Sequence, residues 1–249
     1  MNRASMISTV TLEPASPLAK PGEHLIAHIR GSLPGPTLLI LGGIHGNEPA
    51  GVLAADRVLL RIQERRAHLR GEIVLLRGNT RALERKVRYI DGDLNRQWTA
   101  DNVRISGAGK DALPEISELL EQGELLVAVR EAVSRARGDV YFLDLHTTSA
   151  EGKPFATVGD TLRNRNFALK FPVMIVLGLE EQIDGTLLEY INNLGAITMG
   201  FEAGQHEAIA SVDHHEAVIW NATVATGNVR LDDLAALDDW QSLLKRAGC

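Results

Sequence analysis

His45 and Glu48 stand three residues apart in Gly42-Gly43-Ile44-His45-Gly46-Asn47-Glu48-Pro49 and offer one neutral nitrogen and one anionic oxygen. These are two of the three protein ligands that a catalytic zinc of the two-histidine, one-glutamate kind requires. Alone, an H-x-x-E is also what a solvated turn looks like. Asp144-Leu145-His146 supplies a further imidazole, with Asp144 on the same side of an extended chain. His146 is the natural third ligand, and Asp144 can accept its other ring N–H and so set its tautomer and basicity. A buried His-Asp hydrogen bond made only for stability would look the same. Glu202, in Phe201-Glu202-Ala203-Gly204-Gln205-His206, is a carboxylate that could take a proton from a metal-activated water and pass it to a leaving nitrogen. The plainer alternative is an ordinary strand-end glutamate. Arg88-Tyr89-Ile90-Asp91-Gly92-Asp93-Leu94-Asn95-Arg96 clusters two arginines and an asparagine. Guanidinium planes bind carboxylates bidentately and stabilise a developing oxyanion, although a charged loop without function shares that composition.

The His45, His146 and Glu202 groups each follow an apolar run of strand length. Thr37–Leu41 leads into Gly42-Gly43, Val140–Leu145 into His146, and Ala196–Phe201 into Glu202. Glycines at a strand end let the chain turn at the rim of a sheet, which is where open α/β sheets place ligands. Pro49 opens a helix with Ala54, Val58 and Ile62 on its buried face, ending near Gly71, and Glu72–Leu76 is the next strand. Strand, crossover helix, strand argues for a largely parallel sheet with helices on both faces. Val173–Leu177 is a further strand. Glu115–Arg137, where Leu125, Val129 and Val133 repeat and Gly123 could divide the helix, Asp184–Asn193, Val212–Thr226 and Asp232–Lys245 read as helices. The polar stretch Trp98–Pro114 reads as a substrate-facing loop. Residues 1–36 read as edge strands joined by turns, with His24 and His28 exposed on the polar face of His24–Ile29. Arg61, Arg65, Arg66 and Arg70 read as a solvated helix face, and His214 and His215 as surface groups.

The chain of 249 residues, 45% hydrophobic, is long enough for one sizeable core, and one domain over 1–249 is the default. A formal charge of -6 argues against nucleic acid as a partner of the bulk surface. Met1–Val10 lacks a signal-peptide core and no apolar run approaches membrane-span length, so no membrane association and a cytoplasmic location are expected. The single cysteine, Cys249, is the last residue and forms no internal disulfide.

In order and spacing, His45-Gly46-Asn47-Glu48, Arg88 with Asp93-Leu94-Asn95-Arg96, Asp144-Leu145-His146 and Glu202-Ala203-Gly204 resemble the succinylglutamate desuccinylase and aspartoacylase family, related to the zinc carboxypeptidases. The resemblance covers roughly residues 37–206. It implies a three-layer α/β/α fold with a mixed, largely parallel central sheet, and one zinc held by His45, Glu48 and His146. It implies that Glu202 activates the water, that Arg88 polarises the scissile carbonyl, and that Asn95 and Arg96 grip a substrate carboxylate. The implied reaction is hydrolysis of an N-acyl amino acid. A carboxypeptidase acting on a short peptide, and an idle family member binding a carboxylated metabolite, are the alternatives. His206 is a candidate substrate contact beside Glu202. Aspartoacylases place an arginine ahead of the strand bearing the catalytic glutamate, but Asp184–Phe201 holds no Arg or Lys. An acidic acyl group is therefore in question, with Arg163 and Arg165 read as a solvated face. The helical pattern after Glu202 does not resemble the family's β-rich C-terminal domain, which is expected to be absent or not included, leaving the site more open or covered by an oligomeric partner.

Overall fold

The computed structural model describes residues 21–65, 69–108, 115–230 and 237–248. Residues 1–20, Arg66, the segment 109–114, the start of the Asp232–Lys245 helix and Cys249 lie outside the described residues. Strands β1 (Leu25–Arg30), β2 (Leu33–Gly42), β3 (Arg70–Arg77), β4 (Val140–Thr148), β5 (Phe155–Val158), β6 (Met174–Leu177) and β7 (Ile197–Gln205) form one sheet in the order β1-β3-β2-β4-β7-β5-β6. The neighbours β3/β2, β2/β4, β4/β7 and β5/β6 are parallel, while β1/β3 and β7/β5 are antiparallel. The sheet is thus mixed and largely parallel.

Alternation along the central strands feeds two cores. Leu38, Ile40, Ile73, Leu75, Leu143 and Leu145 face one side, with α1 (Ala50–Arg65), α5 (Leu162–Ala168), α7 (Ile209–Ala225) and α8 (Leu237–Gly248). Leu39, Leu41, Val74, Leu76 and Phe142 face the other, with α3 (Ala100–Ser106), α4 (Ser117–Arg135) and α6 (Leu187–Asn193). This is the expected three-layer α/β/α arrangement, with strands apolar on both faces because both are covered. Burying one such aliphatic side chain contributes about 1.5–3 kcal/mol, so the sheet can tolerate a buried polar cluster at its rim.

Several local expectations need correction. Trp98–Pro114 is not all loop: Thr99 accepts from Asn102 N and caps α3, which buries Val103. Seven residues are too few for a periodic pattern to show. Gly123 does not divide α4, because Leu119 before it and Leu125, Leu126 and Val129 after it are all buried along one continuous helix. Arg70 opens β3 and is not in a helix, and Arg61 pairs with the buried Glu216 at 2.8 Å and stacks on Trp240. His24 is buried, with Nδ1 3.0 Å from the Arg77 carbonyl and Nε2 3.3 Å from Glu124 of α4. A register shift between Leu25 and Ala27 breaks the parity on which its exposure was expected.

Candidate metal centre

Past the end of β2, Gly43 takes a left-handed φ of 74° that turns the chain over the sheet rim. Gly46 then runs against α2 (Thr80–Arg85), where a Cβ would meet the carbonyl carbon of Ala82 at 2.1 Å. Gly46 N donates to the Arg88 carbonyl (3.1 Å) and Glu48 N to the His45 carbonyl (3.1 Å). The closed turn sets His45 Nδ1 2.9 Å from Glu48 Oε1. From β4, His146 Nδ1 lies 3.3 Å from Glu48 Oε2, which also accepts the Thr147 backbone N–H at 2.9 Å. The ligand atoms of His45, Glu48 and His146 all lie within 4.8 Å of one another.

The other ring nitrogens face carboxylates. His146 Nε2 is 3.2 Å from Asp144 Oδ2, and His45 Nε2 is 3.1 Å from Asp93 Oδ1. Loss of the Nδ1 protons that face Glu48 would free both Nδ1 lone pairs for a metal, with Asp144 and Asp93 beside the outer nitrogens, the arrangement that orients metal-binding histidines. Two imidazole nitrogens and one carboxylate within 4.8 Å of one another are the donor set of a catalytic zinc, so these residues fit the ion.

Burial opposes charge on Glu48, yet hydrogen bonds from His146 and His45 outweigh it and hold the carboxyl far below its ordinary range. Burial likewise disfavours charge on His146, but Asp144 and Glu48 on its two nitrogens raise it well above the ordinary value. Glu202 is the contrary case. The parallel β4/β7 ladder pairs His146 with Glu202 and Asp144 with Gly200, putting Glu202 on the cluster's side of the sheet. Burial, against the pull of His146 and helped by Glu48 and Asp144, pushes its carboxyl up to about 7. Its Oε2 is buried and has no hydrogen-bond partner.

Arg88 is exposed and leans over the cluster, with Nη2 3.0 Å from Asp93 Oδ2 and 2.9 Å from His45 Nε2, and Nη1 3.5 Å from Glu48 Oε1. Asn95 is buried, and its Oδ1 accepts the Leu187 N–H at the start of α6 (2.9 Å), so only its NH2 remains for a ligand. Arg96 is exposed and donates through Nη1 to the Asn95 carbonyl at 2.7 Å. His206 Nδ1 is 2.7 Å from Thr147 Oγ1. The structure therefore brings His45, Glu48, His146, Asp144, Glu202 and Arg88 together, keeps Asn95 and Arg96 on the adjoining segment, and ties His206 in through Thr147.

Residues 34–226 match the model of the succinylglutamate desuccinylase/aspartoacylase catalytic domain. The chain belongs to this family. It is 33% identical over 113 residues to the succinylglutamate desuccinylase of Pseudomonas fluorescens (strain SBW25), covering 45% of this chain and 31% of that one. It is 31% identical over 136 residues to the N-acyl-aromatic-L-amino acid amidohydrolase (carboxylate-forming) of Xenopus laevis, covering 53% and 40%. The chain covers less than half the length of either relative. Among solved structures, the succinylglutamate desuccinylase of Chromobacterium violaceum aligns with a TM-score of 0.64 and 21% identity over 82% of this chain and 66% of that one. The product-bound ectoine utilization protein of Ruegeria pomeroyi gives 0.62 and 18% over 89% and 72%. At such identities the likeness is one of fold.

In this family member one residue of the cluster, Asp93, lacks a plain sequence signal. Asp93 secures His45 and Arg88, and its one local sign is that its side chain accepts from Asn95 N at the start of a short helical turn. His215 was expected on the surface but is fully buried in α7, with both ring nitrogens unpartnered. It packs on Phe201, on the face of β7 opposite Glu202, and burial with the nearby His146 lowers it to about 3. The unbroken buried run from His215 to Thr223 was the available signal, since a helix apolar nearly all round is a buried helix. His214 is partly buried too, its Nδ1 2.8 Å from the Ala203 carbonyl.

Proposed function

We propose that the chain hydrolyses the amide bond of an N-acyl amino acid, using one zinc ion held by His45, Glu48 and His146. The observation that carries this is the convergence of His45 Nδ1, His146 Nδ1 and the Glu48 carboxylate beside Glu202, a second carboxyl group whose buried oxygen has no partner. When bound, zinc would polarise the scissile carbonyl and acidify a water molecule.

Glu202 takes the proton of the attacking water at a carboxylate oxygen and returns it to the leaving nitrogen. A carboxyl group near pKa 7 serves both directions at neutral pH. Arg88, already above the cluster, donates to the carbonyl oxygen as negative charge develops there. The Asn95 NH2 and the Arg96 guanidinium hold the carboxylate of the amino-acid half. Asp144 and Asp93 keep the two imidazoles in the ligating tautomer. Asp184–Phe201 has no cation, while Arg163 is bonded to the Gly195 carbonyl and Arg165 to Asp160. The acyl half is therefore taken to be uncharged. Names such as N-acyl-aromatic-L-amino acid amidohydrolase among the relatives support the N-acyl amino acid class.

Glu202→Gln tests this reading. It should keep about one zinc per chain and lose at least about a hundredfold in kcat. Hydrolysis that survives the change would refute the role of Glu202, and faster cleavage of dipeptides than of N-acyl amino acids with the same C-terminal residue would make the chain a carboxypeptidase.

A further inference from the structure

Glu118 touches none of the groups proposed to hold zinc or substrate, yet every polar contact of its carboxylate leads to them. It is the second residue of α4 and fully buried. Oε1 accepts from Asn79 Nδ2 (3.0 Å) and the Ile90 N–H (2.7 Å), and Oε2 from the Asp91 and Gly92 N–H groups (3.0 and 3.2 Å). Three consecutive backbone N–H groups thus wrap one carboxylate, as a backbone nest wraps an anion. Four donors match the acceptor sites of an ionised carboxylate.

The three donors from 90–92 lie between Arg88 and Asp93, in a segment with no helix or strand of its own. Asp91 returns the contact, its Oδ2 accepting Ser117 N at 2.7 Å, so loop and helix end clasp each other from both sides. Asn79, the fourth donor, caps α2 through Oδ1 and donates its backbone N–H to the Gly43 carbonyl at 2.9 Å. One side chain therefore ties the arginine loop to α4 and, through Asn79, to the turn that carries His45.

We infer that Glu118 is a positioning residue, whose carboxylate fixes the 90–92 backbone and so places Arg88 and Asp93 over His45. The inference rests on the hydrolase reading above. Glutamine cannot replace it, since its NH2 would face backbone donors on one side, and aspartate is one methylene too short to reach them.

The test is a double-mutant cycle on kcat at saturating zinc, with amide hydrogen exchange of residues 90–92 alongside. Glu118→Gln should lower kcat at least about tenfold, but by less than about threefold in an Arg88→Ala background, because both changes remove the same interaction. A burial role unrelated to Arg88 would give multiplying losses, and that outcome overturns the inference. If Glu118→Gln does not fold, Asp91→Ala at the exposed half of the clasp should show a smaller loss of kcat, again absent beside Arg88→Ala. Unchanged kcat in Asp91→Ala would overturn the inference instead. If the parent protein turns over no N-acyl amino acid, the hydrolase reading fails separately. Exchange at 90–92 then still decides: faster exchange in either variant supports the anchoring, and unchanged protection refutes it.

Discussion

A carboxyl group held at about 7 by burial destabilises the metal-free fold whenever it ionises. For Glu202 the folded value lies above the ordinary 4.5, so the penalty is absent below that pH, grows as pH rises between the two values, and is complete above about 7. Metal-free Glu202→Gln should therefore be more stable than the parent by on the order of 3–4 kcal/mol at pH 8 and nearly equal to it at pH 4.5. Urea denaturation at both pH values checks this, and equal offsets at the two would contradict it. Asp144→Asn keeps the shape but not the charge facing His146 Nε2. It should weaken zinc binding by about 10- to 100-fold, read by chelator competition. The clustering of His45, Glu48, His146 and Glu202 was legible in the sequence because histidines and carboxylates there interrupt apolar runs at strand ends. Asp93 was not, since its contact with His45 joins positions in different segments that no local pattern relates.

At the level of elements, Gly46 sets how closely the turn carrying His45 and Glu48 can lie on α2. Gly46→Ala must push the turn off Ala82 and should cost about 1–3 kcal/mol of stability together with a loss of zinc affinity. Parental stability and affinity in this variant would show that the close approach is not required. Strands and long helices were legible from apolar runs and four-residue spacing, to within a few residues at their ends. The short α3 was not, because a cap and one buried valine decide it. His215 was misplaced because periodicity within an element says which face is apolar, but not whether another element covers the polar face, and at His24 the register shift in β1 added to that by breaking the strand parity. In both cases a helix or strand distant in sequence covers it.

At the scale of the whole molecule, the order of strands brings the ends of β2, β4 and β7 side by side, which no segment announces alone. The sheet was legible as largely parallel, whereas where its β1/β3 and β7/β5 reversals fall depended on pairing that the sequence does not display. No helix among the described residues is long and apolar enough to cross a membrane. Because His146 is held protonated by Asp144 and Glu48, a metal must displace its proton. Zinc affinity should therefore increase as pH rises above the ordinary histidine range, and zinc at a hundredfold excess over its Kd should stabilise the fold by about 2.7 kcal/mol. Titrations at pH 6, 7 and 8 check the direction, and a pH-independent affinity would argue against His146 as a ligand. Initial rates on N-acyl amino acids with uncharged acyl groups, for protein stripped of metal and then given zinc in steps, decide whether bound zinc drives hydrolysis. The stripped protein should show no turnover, and activity should recover linearly up to one zinc per chain. Undiminished turnover without metal, or one bound zinc with no turnover of any such substrate, would contradict zinc-driven hydrolysis.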